Sequence, residues 1–130
     1  WRLSMSTLVI DTIQGKTTAG SVNVRGEGSN NTNLQQGLAK SFLRGSGSAS
    51  LQHSFNIASG TDNGTGDYTY TFINNMNQSE YPVSANSVGN VPRIGTSSNM
   101  NTSSYDTDHH TDAGANVDSG NVTVTFGDLA

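Results

Sequence analysis

Between residues 104 and 118 the chain reads "SYDTDHHTDAGANVD", which brings Asp106, Asp108, His109, His110, Asp112 and Asp118 close together in sequence. Imidazoles and carboxylates are ligands for zinc and related ions. His109 and His110 are adjacent, however, so on a strand they point to opposite faces and cannot share one ion within a chain. A ring of one histidine from each of three subunits escapes that restriction. A solvated strand or loop of mixed charge is the plainer reading, and no metal ligand is assigned. The same residues also suggest an acid/base set, but glycoside hydrolysis needs two carboxylates held apart across a cleft, and no second group is placed opposite these. "GSGSAS" (residues 45–50) lacks the strand–turn–helix setting of a nucleophile elbow. "RGEGSNN" (residues 25–31) does not open an apolar helix after a buried strand, as a phosphate cradle would. The expectation is a protein that is not an enzyme and that carries no cofactor.

Composition narrows the remaining classes. The chain has 130 residues, the size of one ordinary domain, and a net charge of −4. Leu, Ile, Val and Phe number only 25, which is poor provision for a core. The charge is too small for disorder to follow from that poverty. Abundant Gly, Ser, Thr and Asn imply many turns and strands with hydroxyl-rich faces, in a chain that gains by sharing a core with its own copies. Six scattered basic residues, Arg2, Lys16, Arg25, Lys40, Arg44 and Arg93, make no stripe for nucleic acid. No apolar run approaches the ~20 residues of a membrane span, and no signal peptide is visible, so membrane insertion is not expected. With no cysteine there is neither a disulfide framework nor thiolate chemistry. Either Met5 is the initiator and Trp1–Ser4 an upstream remnant, or Trp1 follows a missing segment; whether Trp1–Ser4 are native stays open.

The elements that must position any site are read from periodicity. "STLVIDTIQ" alternates Leu8 and Ile10 against Val9, Asp11 and Ile13, as a strand does; "SVNVR" is a second short strand. "NNTNLQQGLAKSFL" is the single helix candidate, capped by Asn30, Asn31 or Thr32, with Leu34, Leu38 and Phe42 one turn apart. Gly37 weakens it, and so short a helix needs something to pack against. The clearest signal is "HSFNIASGTDNGTGDYTYTF", residues 53–72, read as two half-buried strands. Phe55 and Ile57 are expected to share a buried face with Tyr68, Tyr70 and Phe72, around an exposed turn at 60–66. "SEYPVSANSVG" is a strand that Pro82 confines to an edge or an irregular entry. Residues 89–104 read as loop with a short strand around Ile94, and "NVTVTFGDLA" closes the chain with Val122, Val124 and Phe126 on one face. The aromatics Phe55, Tyr68, Tyr70, Phe72, Tyr81 and Tyr105 form either core pairs or a sugar-stacking platform, the former favoured. The expected class is all-β: a small antiparallel β-sandwich with one short helix, in which 1–32 is an N-terminal strand or attachment segment and 33–130 the sandwich, continuous with it.

Residues 39–73, "AKSFLRGSGSASLQHSFNIASGTDNGTGDYTYTFI", resemble a module of marine bacteriophage proteins. Its members read Ala-Lys, an aromatic, a Gly/Thr segment, "SFN" with an aliphatic, "TDNGTGDYT", alternating strand residues, then Met before a Tyr. Phe42 stands where Trp is usual. The opening "STLVIDTIQGKTTAGSVNVRGEGS" and the ending "VTVTFGDLA" are similar to the same proteins, so the resemblance covers most of the chain, with residues 74–118 departing furthest. It implies a fibre-like virion protein of the tail-fibre family: a trimeric β-structured tip attached to other virion proteins, made in the bacterial cytoplasm and displayed on the particle. It carries no catalytic residues across. The partner expected on the host is a surface glycan or protein. Alternatives are a capsid fibre or decoration protein without a receptor, and a free carbohydrate-binding module.

Two sets of site residues follow as expectations. Leu34, Leu38 and Phe42 should meet their equivalents around the axis of a homotrimer, with residues 33–44 at or near that axis, because three copies turn an exposed stripe into a shared core. Tyr105, His109 and His110, within a variable surface at 89–118, should contact the receptor.

Overall fold

The computed structural model describes residues 8–16, 22–25, 29–89 and 93–130. Residues 1–7, 17–21, 26–28 and 90–92 lie outside them, including the Trp1–Ser4 segment, most of the "GKTTAG" loop and the glycines of "RGEGSNN". The class is all-β, and every strand pairing is antiparallel. A small hairpin pairs β1 (Asn23–Arg25) with β2 (Asn31–Asn33), crossing the expected boundary at 32/33. Then follow α1 (Leu34–Gly37), β3 (Ala39–Gly45), β4 (Leu51–Phe55), β5 (Ile57–Gly64), β6 (Asp67–Phe72), β7 (Val83–Val88), β8 (Arg93–Ser98), β9 (Ser104–Thr111) and β10 (Gly120–Phe126). They form two four-stranded sheets, β4-β3-β10-β7 and β5-β6-β9-β8, packed face to face as a sandwich. β10 returns beside β7, giving the Greek-key order β10-β7-β8-β9 around one edge.

The helix candidate shrinks to a single turn. Asn33 accepts the N–H of Gln36 at 3.0 Å and so caps it, in place of the earlier residues expected to do so. Gly37 ends it, and from Ala39 the chain is extended, which places Phe42 on a strand. A strand ladder with β10, joined by β4 from Phe42 onward, supplies backbone partners over "AKSFLRG", whereas an isolated helix there has too few apolar contacts to hold. Leu34, Leu38 and Phe42 therefore do not form a helical stripe.

The hairpin is also redrawn. Asn56 adopts a left-handed φ of 58°, its side chain accepts the N–H of Asn74 at 2.7 Å, and it donates to the Asn74 carbonyl at 3.0 Å. This held corner ends β4 and turns the chain into the other sheet. Phe55 accordingly pairs with Phe42, while Ile57 pairs with Phe72. Ile57, Tyr68, Tyr70 and Phe72 share the buried face as expected; Phe55, 51% exposed, does not. The reversal narrows to Thr65 and Gly66, and residues 60–64 belong to β5. β7 lies at a sheet edge, as Pro82 implied, and the strand around Ile94 is β8. Residues 8–16, expected to include a strand, pair with no strand among the described residues.

The core is a layer of rings on a small, polar floor. Tyr68, Tyr70, Phe72 and Tyr105 point inward from the β5-β6-β9-β8 sheet, and Tyr81 from the loop before β7. Phe72 meets Tyr81 edge-on at 5.8 Å and Tyr105 at 5.5 Å between ring centres. Facing them from the other sheet are Ser41, Leu43, Gly45, Asn121, Thr123 and Thr125. Gly60 is tightly enclosed: a Cβ there would lie 2.2 Å from the Ala49 carbonyl oxygen and 2.9 Å from the Tyr70 ring. Gly89 has open space around it. Gly60→Ala is expected to lose about 1–3 kcal/mol of stability, whereas Gly89→Ala should be nearly neutral. Urea melts of both variants measure the difference, and equal midpoints would refute the close approach.

Candidate functional site

The residues singled out for receptor contact lie on β9, whose alternation decides their fate. Tyr105, Thr107 and His109 face inward; Asp106, Asp108 and His110 face outward. Tyr105 and His109 are both 0% exposed, so neither can touch a receptor on the folded chain. The expectation is corrected for these two: β9 is a central strand of its sheet, not a variable loop, and every second side chain is core. The segment 89–118 likewise contains β8 and β9, leaving Gly89, 99–103 and 112–118 outside strands among the described residues. The adjacent histidines do point to opposite faces. No group of three or more His, Cys, Asp or Glu is arranged to hold a metal among the described residues.

The inward groups form a hydrogen-bonded layer that joins the sheets. The Asn121 carboxamide oxygen accepts from Thr107 Oγ1 at 2.9 Å and is also paired with His109 Nε2. The Tyr105 hydroxyl bonds Thr123 Oγ1 at 2.6 Å, and Ser41 Oγ bonds Thr125 Oγ1 at 2.8 Å. The Tyr68 hydroxyl accepts the Ser119 N–H at 3.1 Å and lies within donating distance of the Gly47 carbonyl and the Asp118 carboxylate. Tyr81 shares its proton between the carbonyls of Asn101 and Ser104, each at 2.9 Å. All four tyrosines of the chain are thus buried. Burial pushes the Tyr105 hydroxyl up to about 12 and raises Tyr68, Tyr70 and Tyr81 as well. The members of this layer lie buried between the sheets.

Two outer faces remain as functional candidates, and they differ sharply. On β5-β6-β9-β8 the outward groups are hydroxyls and carboxylates. Thr69 donates to Asp106 at 2.6 Å, Ser98 to Asp108 at 2.7 Å, and Asn63 donates to Asp67 and Thr69. Asp67 stands directly opposite Asp108. Such a face can hydrogen-bond a polyhydroxyl ligand.

The outer face of β4-β3-β10-β7 instead carries an apolar patch among polar residues. Cross-strand register lines up Phe55, Phe42, Val124 and Ser84 in one row and His53, Arg44, Val122 and Asn86 in the next. Phe42, 38% exposed, stacks on Phe55 with ring centres 5.7 Å apart. Val122, Val124 and Phe126 share one face, as expected, and it is the outward one. Leu38 is exposed nearby, and Leu34 lines a shallow cleft with Val24, Thr32, Asn33, Gly37 and Leu38. The single residue of the expected oligomer stripe that lies on this sheet is Phe42. Sequence reasoning missed Phe55, Val122 and Val124 as its neighbours; only strand order brings them together. Comparison with protein-family models, curated proteins and solved structures yields no match.

Thr123→Val should cost about 1–3 kcal/mol by stranding the Tyr105 hydroxyl, and adding Tyr105→Phe should recover part of that loss. Alkali provides a second test. The unfolded chain ionises its tyrosines near their ordinary value of 10.0, before the folded chain does. The contribution of these groups is therefore complete below that pH, declines above it, and is lost beyond the raised folded values. Phenolate absorbance should rise cooperatively with unfolding. Smooth titration of four ordinary tyrosines, without unfolding, would contradict this.

Proposed function

We propose that the chain is a non-enzymatic, fibre-like bacteriophage virion protein that assembles as a homotrimer and helps attach the particle to its bacterial host. The observation that carries the assembly part is the outward apolar face centred on Phe42, Phe55, Val122 and Val124. A chain with so few large aliphatic residues gains little by leaving several of them in water, and burying each against a neighbour is worth roughly 1.5–3 kcal/mol. The resemblance of residues 39–73 to phage fibre modules supports the virion part, and repeated presentation of one surface by three copies raises avidity for a repetitive cell surface. With Tyr105 and His109 in the core, the contact surface proposed here is the hydroxyl and carboxylate face, with Thr69, Asp106, Asp108 and His110 outward. Its chemistry suits a host glycan.

Light scattering of the purified chain in native buffer should report three chains. Added to host cells, the soluble chain should compete with phage adsorption, and Thr69→Ala with Asp106→Ala should weaken that competition while leaving the melting curve nearly unchanged. An electron-microscopy map of the particle separates the readings: density at the tail supports attachment, and density on the capsid with no competition supports a decoration protein. Glycan binding by a chain absent from particles would point to a free carbohydrate-binding module.

A further inference from the structure

Residues 8–13, "LVIDTI", are a strand sequence without a strand. Leu8 and Val9 are 77% and 88% exposed, Ile10 and Ile13 are also exposed, and no pairing is formed among the described residues. Apolar side chains left in water here are unfavourable, as are those of the uncovered Phe42–Val124 face. The two match in shape and charge. Six extended residues span roughly 20 Å, the length of one strand of the sheet. On one side of the segment Val9, Asp11 and Ile13 follow each other at two-residue steps, apolar, acidic, apolar. On the sheet, Phe42 and Arg44 stand at the same step, flanked by Val124 and Val122. The Arg44 guanidinium, one of whose five N–H donors goes to Gln52, and His53 are the titratable groups of those two rows, and Asp11 is the complementary charge.

We infer that residues 8–13 of one copy lie across the Phe42–Phe55–Val122–Val124 face of a second copy, with Asp11 at Arg44 and Val9 beside Phe42 and Val124. Because segment and face are different surfaces, the contact is heterologous and closes into a ring when the rotation permits, three copies included. The contact between chains stands whichever particle or cell the assembly serves.

The absence of cysteine makes cross-linking clean. Val9→Cys and Phe42→Cys chains, prepared separately and mixed under mild oxidation, should form the mixed disulfide in excess over either like pair. In parallel, Asp11→Lys should shift the assembly toward single chains by light scattering, and Asp11→Lys with Arg44→Glu should restore it. All of these positions are exposed except within the contact itself, and circular dichroism checks that each variant folds. Three results would overturn the inference. One is no excess of mixed disulfide. Another is an assembly indifferent to Asp11→Lys. The last is a disulfide formed only within the Val9→Cys, Phe42→Cys double variant, which would mean that the segment covers its own chain's face.

Discussion

A phenol buried between two sheets keeps its hydroxyl away from water, and that group must find a partner or cost the fold a desolvated dipole. In this chain Tyr105 meets Thr123 on the floor of Ser41, Asn121, Thr123 and Thr125, and Tyr68 and Tyr81 meet the carbonyls and carboxylate of adjoining loops, whereas the buried Tyr70 hydroxyl has no hydrogen-bond partner among the described residues. Big rings on one sheet and small hydroxyl-bearing side chains on the other also satisfy packing, since two layers of rings would force the sheets beyond their usual separation of about 10 Å. The rest of the architecture depends on this seam of rings against small polar side chains.

Its first consequence is an inverted sheet. β10 alternates Val and Thr, and both types suit a strand. Because the threonines are drawn inward by the hydroxyl layer, the valines and Phe126 must face out, and β3 follows with Ser41 and Leu43 in and Phe42 out. The few apolar residues are thus divided between an aromatic core and an external face. A monomer stabilised by hydrogen-bonded aromatics, with an apolar exterior patch, is a unit suited to assembly. The opposite sheet carries hydroxyls and carboxylates on its outer face and stays solvated, so the two exteriors are chemically distinct.

The second consequence concerns connections. For Phe55 and Ile57 to lie in different sheets the chain must change direction within one residue, and Asn56 does this in a left-handed conformation that asparagine tolerates better than most residues. Its carboxamide bonds to Asn74 at the far end of the hairpin, so both ends of β5-β6 are secured to the same point. Gly66 serves the other end, where φ is +75° and a Cβ would lie 2.5 Å from the His109 carbonyl oxygen. Strand order follows from these corners.

By itself the sequence determined the all-β class, the pairing of Ile57 with the Tyr68–Phe72 strand, the edge position after Pro82 and the opposed directions of His109 and His110. Each of these rests on local alternation or on a missing backbone donor, which need no knowledge of distant residues. Tertiary structure decided which face of each strand is inside. In "VTVTF" and "SYDTDHH" the period is plain but its phase is not, because Thr, Tyr and His serve equally as core or surface until a hydroxyl across the sheet supplies the partner. The same ignorance of partners extended the helix through Phe42, where a ladder with β10 outweighs a short helix interrupted by Gly37. The apolar patch was illegible for a related reason: Phe42, Phe55, Val122 and Val124 come from three strands spread along the chain, and only hydrogen-bonded register sets them side by side.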